Sequence, residues 1–201
     1  MIEDVPSRDT DAIGPSDEDL IERFQQGDVY AYDLIVKRYK EPLLNFVYRF
    51  IGNIEEAEDI VQETFLRVYR KKHAYRRIAK FSTWIYTIAG NLSRTELRRR
   101  RRRKLFSVSD MGFDEKDYEI SDEEFNPEDN TEGILQGELI QKEIENLSPK
   151  FREVILLRDV QELSYEEISQ IIKVPIGTVK SRVNRARTRL QSRLEYLMKK
   201  K

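Results

Sequence analysis

The sequence predicts an all-α protein of two small helical bundles joined by a flexible acidic linker, the C-terminal bundle carrying a helix-turn-helix. Three observations predict it. Apolar residues recur at three- and four-residue spacing through most of the 201 residues, which is the period of an amphipathic helix. Sustained alternation and Asn-Gly or Asp-Gly hairpin signals are absent from the sequence, so nothing argues for strands. Residues 105–133 break the helical pattern with 11 acids and are too long for a routine loop.

Taken in order, residues 1–17 mix Pro, Gly, Ser and Asp and read as a disordered leader. The first bundle covers 18–104. Leu20, Ile21 and Phe24 open its apolar stripe, and Gly27-Asp28 marks a turn. Tyr32, Leu34, Ile35, Val36 and Tyr39 continue the stripe, and Leu43, Leu44, Phe46, Val47, Phe50 and Ile51 extend it to Gly52. Asn53 with Glu56 resembles a capping pair. The helix after it turns Ala57, Ile60, Val61, Thr64, Phe65 and Val68 inward. A last helix from Phe81 or Ser82 carries Trp84, Ile85, Ile88, Ala89 and Leu92 on one face, where packing is the expected role of Trp84. The second bundle covers 134–201. Ser148-Pro149 places a cap residue before a first-turn proline, followed by Phe151, Val154, Ile155, Leu157 and Val160.

Ser164 with Glu167 fits a reciprocal capping box, and Ile168, Ile171 and Ile172 follow at helical spacing. Val174-Pro175-Ile176-Gly177 interrupts that helix. The next helix keeps Val179, Val183, Ala186 and Leu190 inside and presents Thr178, Lys180, Ser181, Arg182, Asn184, Arg185 and Arg187 outside. Hydroxyl, amide and basic side chains on the second helix of such a pair suit contact with phosphates and base edges in the major groove.

The net charge of −1 conceals a segregation: residues 67–104 carry +14, residues 110–132 carry −10 and residues 173–201 carry +9. Two basic blocks flank an acidic one, and each is a candidate footprint for a polyanion. The chain has no cysteine and one histidine, His73. That excludes disulfides, thiolate chemistry and a multi-histidine metal site, and no metal or cofactor is expected. No secretory signal, membrane span, Gly-rich phosphate loop or nucleophile–base pair stands out. A cytoplasmic protein that is not an enzyme is expected.

Three ordered segments carry a family resemblance: EEAEDIVQETFLRVYR (55–70), FSTWIYTIAGNLSRTELRRRRRR (81–103) and LSPKFREVILLRDVQELSYEEISQIIKVPIGTVKSRVNRARTRL (147–190). With their order and the intervening linker, they resemble the extracytoplasmic-function group of bacterial sigma factors, within the sigma-70 family. The resemblance implies a subunit that binds core RNA polymerase at its clamp and flap, recognises the −35 and −10 promoter elements and helps melt the DNA. It gives Glu58, Asp59, Gln62, Glu63 and Leu66 a polymerase-docking role, although the residues alone also fit a solvated helix face. It assigns Tyr75, Arg76, Arg77, Lys80, Asn91, Arg94 and Arg98 to the −10 DNA, with Tyr75 as a candidate stacking platform, and the seven helix-turn-helix residues named above to the −35 DNA. The linker would thread toward the polymerase active site, its acids mimicking nucleic acid. An anti-sigma factor is implied as a further partner, with no membrane insertion by this chain. The competing readings are a stand-alone helix-turn-helix regulator and a sigma-mimicking adaptor that titrates an anti-sigma factor.

Overall fold

A computed structural model describes residues 14–109 and 132–199, and among them there is no strand. The expected linker falls largely on residues 110–131, outside the described residues, as does most of the expected leader. The leader reading ends too late, however. Ser16 accepts a hydrogen bond from the Asp19 N–H at 3.1 Å and caps α1 (Asp17–Gln25). Asp17 accepts from the Tyr39 hydroxyl and pairs with Arg38, so folded structure begins before residue 18.

Gly27 adopts φ 105°, a turn conformation that a side chain would strain, and Asp28 caps α2 (Val29–Ile51). That helix runs unbroken through Pro42, which sits exposed on its outer side, and ends at Gly52 in the left-handed conformation. The Asn53 side chain accepts from the Glu56 N–H at 2.9 Å and starts α3 (Ile54–Arg70). Only half of the expected pair forms there, because the Glu56 carboxylate turns to Arg100 instead. The buried face of α3 is the predicted one: Ala57, Ile60, Val61, Thr64, Phe65 and Val68. A 3₁₀ turn at Lys72–Ala74 leads into α4 (Phe81–Ser109). Phe24, Phe46, Phe50 and Phe81 are fully enclosed between these helices, and burying each such ring contributes roughly 1.5–3 kcal/mol.

The second half comprises α5 (Glu132–Glu145), α6 (Pro149–Ile155), a π-helical turn at Leu156–Val160, α7 (Tyr165–Ile172) and α8 (Ile176–Lys199). Ser148 does precede a first-turn proline, but its hydroxyl caps nothing and lies buried without a protein partner. The capping box of α7 forms as predicted: Glu167 N–H to Ser164 Oγ at 3.1 Å, Ser164 N–H to Glu167 Oε2 at 2.8 Å. Lys173, with φ 55°, closes α7, and Pro175 accepts from the Thr178 and Val179 N–H groups at the start of α8.

The halves do not stand apart. α4 packs on α7, and α2 packs on α5, α6 and the π-turn, so one continuous hydrophobic core runs through both. The joint is also fastened by polar groups. Arg152 of α6 donates to the Phe50 carbonyl at the end of α2 at 2.7 Å, and to the Leu147 and Glu145 carbonyls beside it. Arg100 of α4 donates to the neighbouring Ile51 carbonyl at 2.6 Å. Two guanidinium groups therefore occupy the negative end of α2, where the last carbonyls of a helix lack partners within it.

Candidate polymerase and nucleic-acid interfaces

The outer face of α3 is open to solvent. Glu58, Asp59, Gln62 and Leu66 are exposed there, opposite the buried stripe. Glu63 is half-buried and bonds Arg67 at 2.7 Å; that hydrogen bond holds its carboxyl below the usual carboxylate range. An acidic and amide surface with one exposed leucine, on a rigid helix, is chemically suited to a basic partner helix.

The segment between α3 and α4 is held in place by α1. The Gln25 amide donates to the carbonyls of Lys72 and Tyr75 at 2.7 and 3.2 Å, and Lys72 reaches the Phe24 carbonyl at 2.8 Å. Glu18 accepts from the Phe81 N–H at 2.9 Å, occupying the start of α4. Arg77 pairs with Asp19 and Glu22. The result is a braced loop whose tip, Ile78, is 89% exposed and whose neighbour Arg76 also faces solvent. Tyr75 corrects the sequence reading: it is 5% exposed, its ring packs against Phe81 and Trp84, and its hydroxyl donates to the Ala79 carbonyl at 2.8 Å. It anchors the loop and offers no free face for a base. Trp84 packs here too, as expected.

Helix α8 divides its candidate residues between two flanks. Thr178, Ser181, Arg182 and Arg185 line one shallow groove with Lys150 and Phe151 of α6. Lys180 lies over the Tyr165 ring and Arg187 pairs with Asp159 at 2.9 Å, while Asn184 is exposed. Residues three and four apart share a helix face, so the first four form one continuous surface and Lys180 and Arg187 lie off it. Lys150 was missed by sequence reasoning because it follows a capping dipeptide and carries no periodic signal of its own.

Comparison with known proteins decides the family. Residues 35–103 match the sigma-70 region 2 family and residues 137–190 match the sigma-70 region 4 family. The chain belongs to the sigma-70 family. It is 35% identical over 189 residues to the RNA polymerase sigma-H factor of Pseudomonas aeruginosa, covering 91% of this chain and 96% of that one. It is 36% identical over 179 residues to the ECF RNA polymerase sigma factor SigW of Bacillus subtilis, covering 88% and 96%. Among solved structures, RpoE bound to the anti-sigma factor NepR from Bartonella quintana superposes with a TM-score of 0.63 at 29% identity, over 82% of this chain and 96% of that one. CnrH in complex with the cytosolic domain of CnrY shares the fold, with a TM-score of 0.69 at 19% identity, over 90% and 99%. The chain is thus an RNA polymerase sigma factor of the extracytoplasmic-function group, and α1–α4 and α5–α8 hold its regions 2 and 4. No described helix is long and apolar enough to cross a membrane.

In region 2 of this sigma factor, Asn91 and Arg98 are exposed on α4, Asn91 bonding Arg94 at 2.6 Å and Arg98 bonding Thr95 at 3.3 Å. Arg94 is half-buried and paired with Glu153 of region 4. Glu153 is 5% exposed. Burial pushes its carboxyl up to about 7, against the opposing pull of Arg94 and Arg182, so desolvation outweighs the ion pair. A carboxyl with a raised folded-state pKa stabilises the fold fully below its ordinary value of 4.5, and that contribution disappears as pH rises through about 7. Glu153→Gln is therefore expected to flatten the difference in urea-unfolding free energy between about pH 5 and about pH 8 by at most about 3 kcal/mol. An unaltered difference would refute the assignment to Glu153.

The basic run Arg98–Arg103 is not uniform. Arg100 turns inward onto Ile51 and Glu56, Arg99 and Arg103 pair with Glu96, and Arg101 and Arg102 are exposed. Phosphate contacts position a protein without reading sequence, and each releases counterions. Replacing Arg98, Arg101 and Arg102 by Gln is expected to reduce the log–log salt slope of promoter binding by about 2–3, measured by fluorescence anisotropy. Replacing Arg100 should lower stability instead.

Proposed function

We propose that this sigma factor docks on core RNA polymerase through Glu58, Asp59, Gln62, Glu63 and Leu66 of α3. The braced loop with Arg76, Arg77 and Lys80, together with Asn91, Arg94 and Arg98 of α4, holds the −10 DNA. The α8 groove of Thr178, Ser181, Arg182 and Arg185, extended by Lys150, reads the −35 DNA, with Lys180, Asn184 and Arg187 contacting the flanking backbone. Catalysis belongs to the polymerase, and the chain acts in the cytoplasm as its promoter-choosing subunit. The observation that supports this most is the coexistence on one chain of an acidic docking face and two separate cationic faces, each on a rigid element. A stand-alone helix-turn-helix regulator would leave the α3 face without a purpose.

An anti-sigma factor is the proposed controlling partner, because RpoE, 29% identical to this chain, is bound to one. The test is transcription in vitro with sigma-free core polymerase on a pooled promoter library, mapping starts with and without the protein. New starts sharing −35 and −10 motifs at fixed spacing are expected. No new starts, with promoter DNA still bound, would refute the docking role.

A further inference from the structure

We infer that Ile78, at the tip of the loop between α3 and α4, reads one base of the −10 DNA by apolar contact with a thymine 5-methyl group. The inference deepens the proposed assignment of this loop to the −10 DNA and rests on it. Among the described residues Ile78 is the most exposed large apolar side chain. A single exposed apolar residue is ordinary on a protein surface; what sets this one apart is that its backbone is fixed. The Ile78 N–H donates to the Arg76 carbonyl at 2.7 Å, closing a three-residue turn. On one side of the tip Arg77 is tied back to Asp19 and Glu22 of α1. On the other, the Ala79 carbonyl accepts from the Tyr75 hydroxyl at 2.8 Å. An uncovered side chain on an anchored turn meets its ligand without the entropic cost of ordering a loop.

The chemistry of the loop narrows the kind of contact. Tyr75, the aromatic residue of the loop, is enclosed by Phe81 and Trp84 and presents no face on which a base can stack. Arg76 and Lys80 are both exposed, two residues before and two after the tip. Cations so placed suit the phosphates on either side of one nucleotide, and phosphate contacts position a strand without reading it. The base of that nucleotide then falls on Ile78. An aliphatic side chain has no donor or acceptor, so it cannot discriminate base edges by hydrogen bonds. The one apolar group that distinguishes a base is the thymine methyl: cytosine and the purines lack it, and uracil differs from thymine by nothing else.

The test uses the full-length protein and a library of single-stranded deoxyoligonucleotides with a randomised central block. Sequencing of the bound fraction is expected to show one position that prefers thymine. Replacing that thymine by deoxyuridine removes the methyl group alone and is expected to weaken binding about fourfold, the effect of one buried methyl-sized group, measured by fluorescence anisotropy. Ile78 buries almost nothing, so Ile78→Ala is expected to fold like the parent chain. In that variant the thymine and deoxyuridine oligonucleotides should bind alike, and this loss of coupling ties the methyl to the residue. Ile78→Val should keep part of the difference. No thymine-preferring position, or the same methyl sensitivity in Ile78→Ala as in the parent, overturns the inference. So does an Ile78→Ala variant that weakens every sequence equally, as loss of a wedge between bases would. Arg76→Gln with Lys80→Gln tests the −10 assignment separately. Weaker binding to every oligonucleotide, with the thymine preference intact, is expected; unchanged binding would remove the loop from the −10 DNA whatever the methyl shows.

Discussion

Reversing Asp59 and Glu63 together to lysine is expected to weaken binding to core RNA polymerase by at least about a hundredfold, equivalent to about 2.7 kcal/mol, while leaving the fold intact. Both residues lie on the side of α3 opposite its buried stripe, one helical turn apart. Among the described residues, the one hydrogen bond lost is that of Glu63 with Arg67, a surface pair of the kind that contributes little to stability. Like charges placed against a complementary surface both remove attraction and add repulsion, which is why reversal should exceed neutralisation. Binding is measured by titrating labelled sigma factor with core polymerase, and folding by far-ultraviolet circular dichroism and thermal unfolding. Retained affinity in a folded variant would remove α3 from the docking surface. Replacing Glu55, on the same helix but outside the proposed patch, should have no such effect.

Arg152→Ala is expected to lower the unfolding free energy by about 2–4 kcal/mol, the scale set by stranding several buried acceptors at once. Its guanidinium serves the carbonyls of Phe50, Leu147 and Glu145, and burial holds its pKa below the ordinary value. The group is charged, enclosed and bonded only to carbonyl oxygens, an arrangement that a point ammonium cannot reproduce. Arg152→Lys should therefore recover less than half of the loss. Urea unfolding of the two variants beside the parent chain checks both statements, and a loss under about 0.5 kcal/mol for Arg152→Ala would show that water replaces the fork without penalty.

The helices and their buried faces were legible from sequence wherever a periodic pattern met a local cap. The six inward residues of α3, the capping box of α7 and the inner face of α8 all follow from spacing and short-range hydrogen bonds, which depend on neighbours within one helical turn. What spacing cannot give is the partner across a face. Tyr75 looked like a free aromatic in a basic loop, yet Phe81 and Trp84 enclose it. Arg100 looked like one of a run of identical cations, yet it alone points at the end of α2. Ser148 sits where a cap belongs, but its hydroxyl is turned inward. The association of the halves was the largest omission, and one signal for it was present: Val154-Ile155-Leu156-Leu157 is apolar at four consecutive positions, wider than a single helix face. In the structure every residue from Phe151 to Leu157 is buried, including Arg152 and Glu153. A helix enclosed all round must meet neighbours on all sides, and a charged pair inside such a run points to oppositely charged or polar groups on another element.

The acids of the proposed docking face and the charged groups at the joint obey opposite physics. On α3, Glu58 and Asp59 are solvated, so a partner would gain their charge at small desolvation cost. At the joint, Glu153 is dehydrated and Arg152 spends its donors on main-chain oxygens. The same chemistry thus advertises one surface and conceals another.

That concealment gives the helix-end clasp at Phe50 and Ile51 a consequence for which substitutions the joint will tolerate. The clasp takes hold of carbonyl oxygens, which every residue carries, so positions 50 and 51 are constrained only by the packing of their side chains. Arg152 and Arg100 are constrained by charge and by fork geometry as well. Volume-conserving exchange among the apolar residues of the joint should therefore cost little, while exchange of either cation should not.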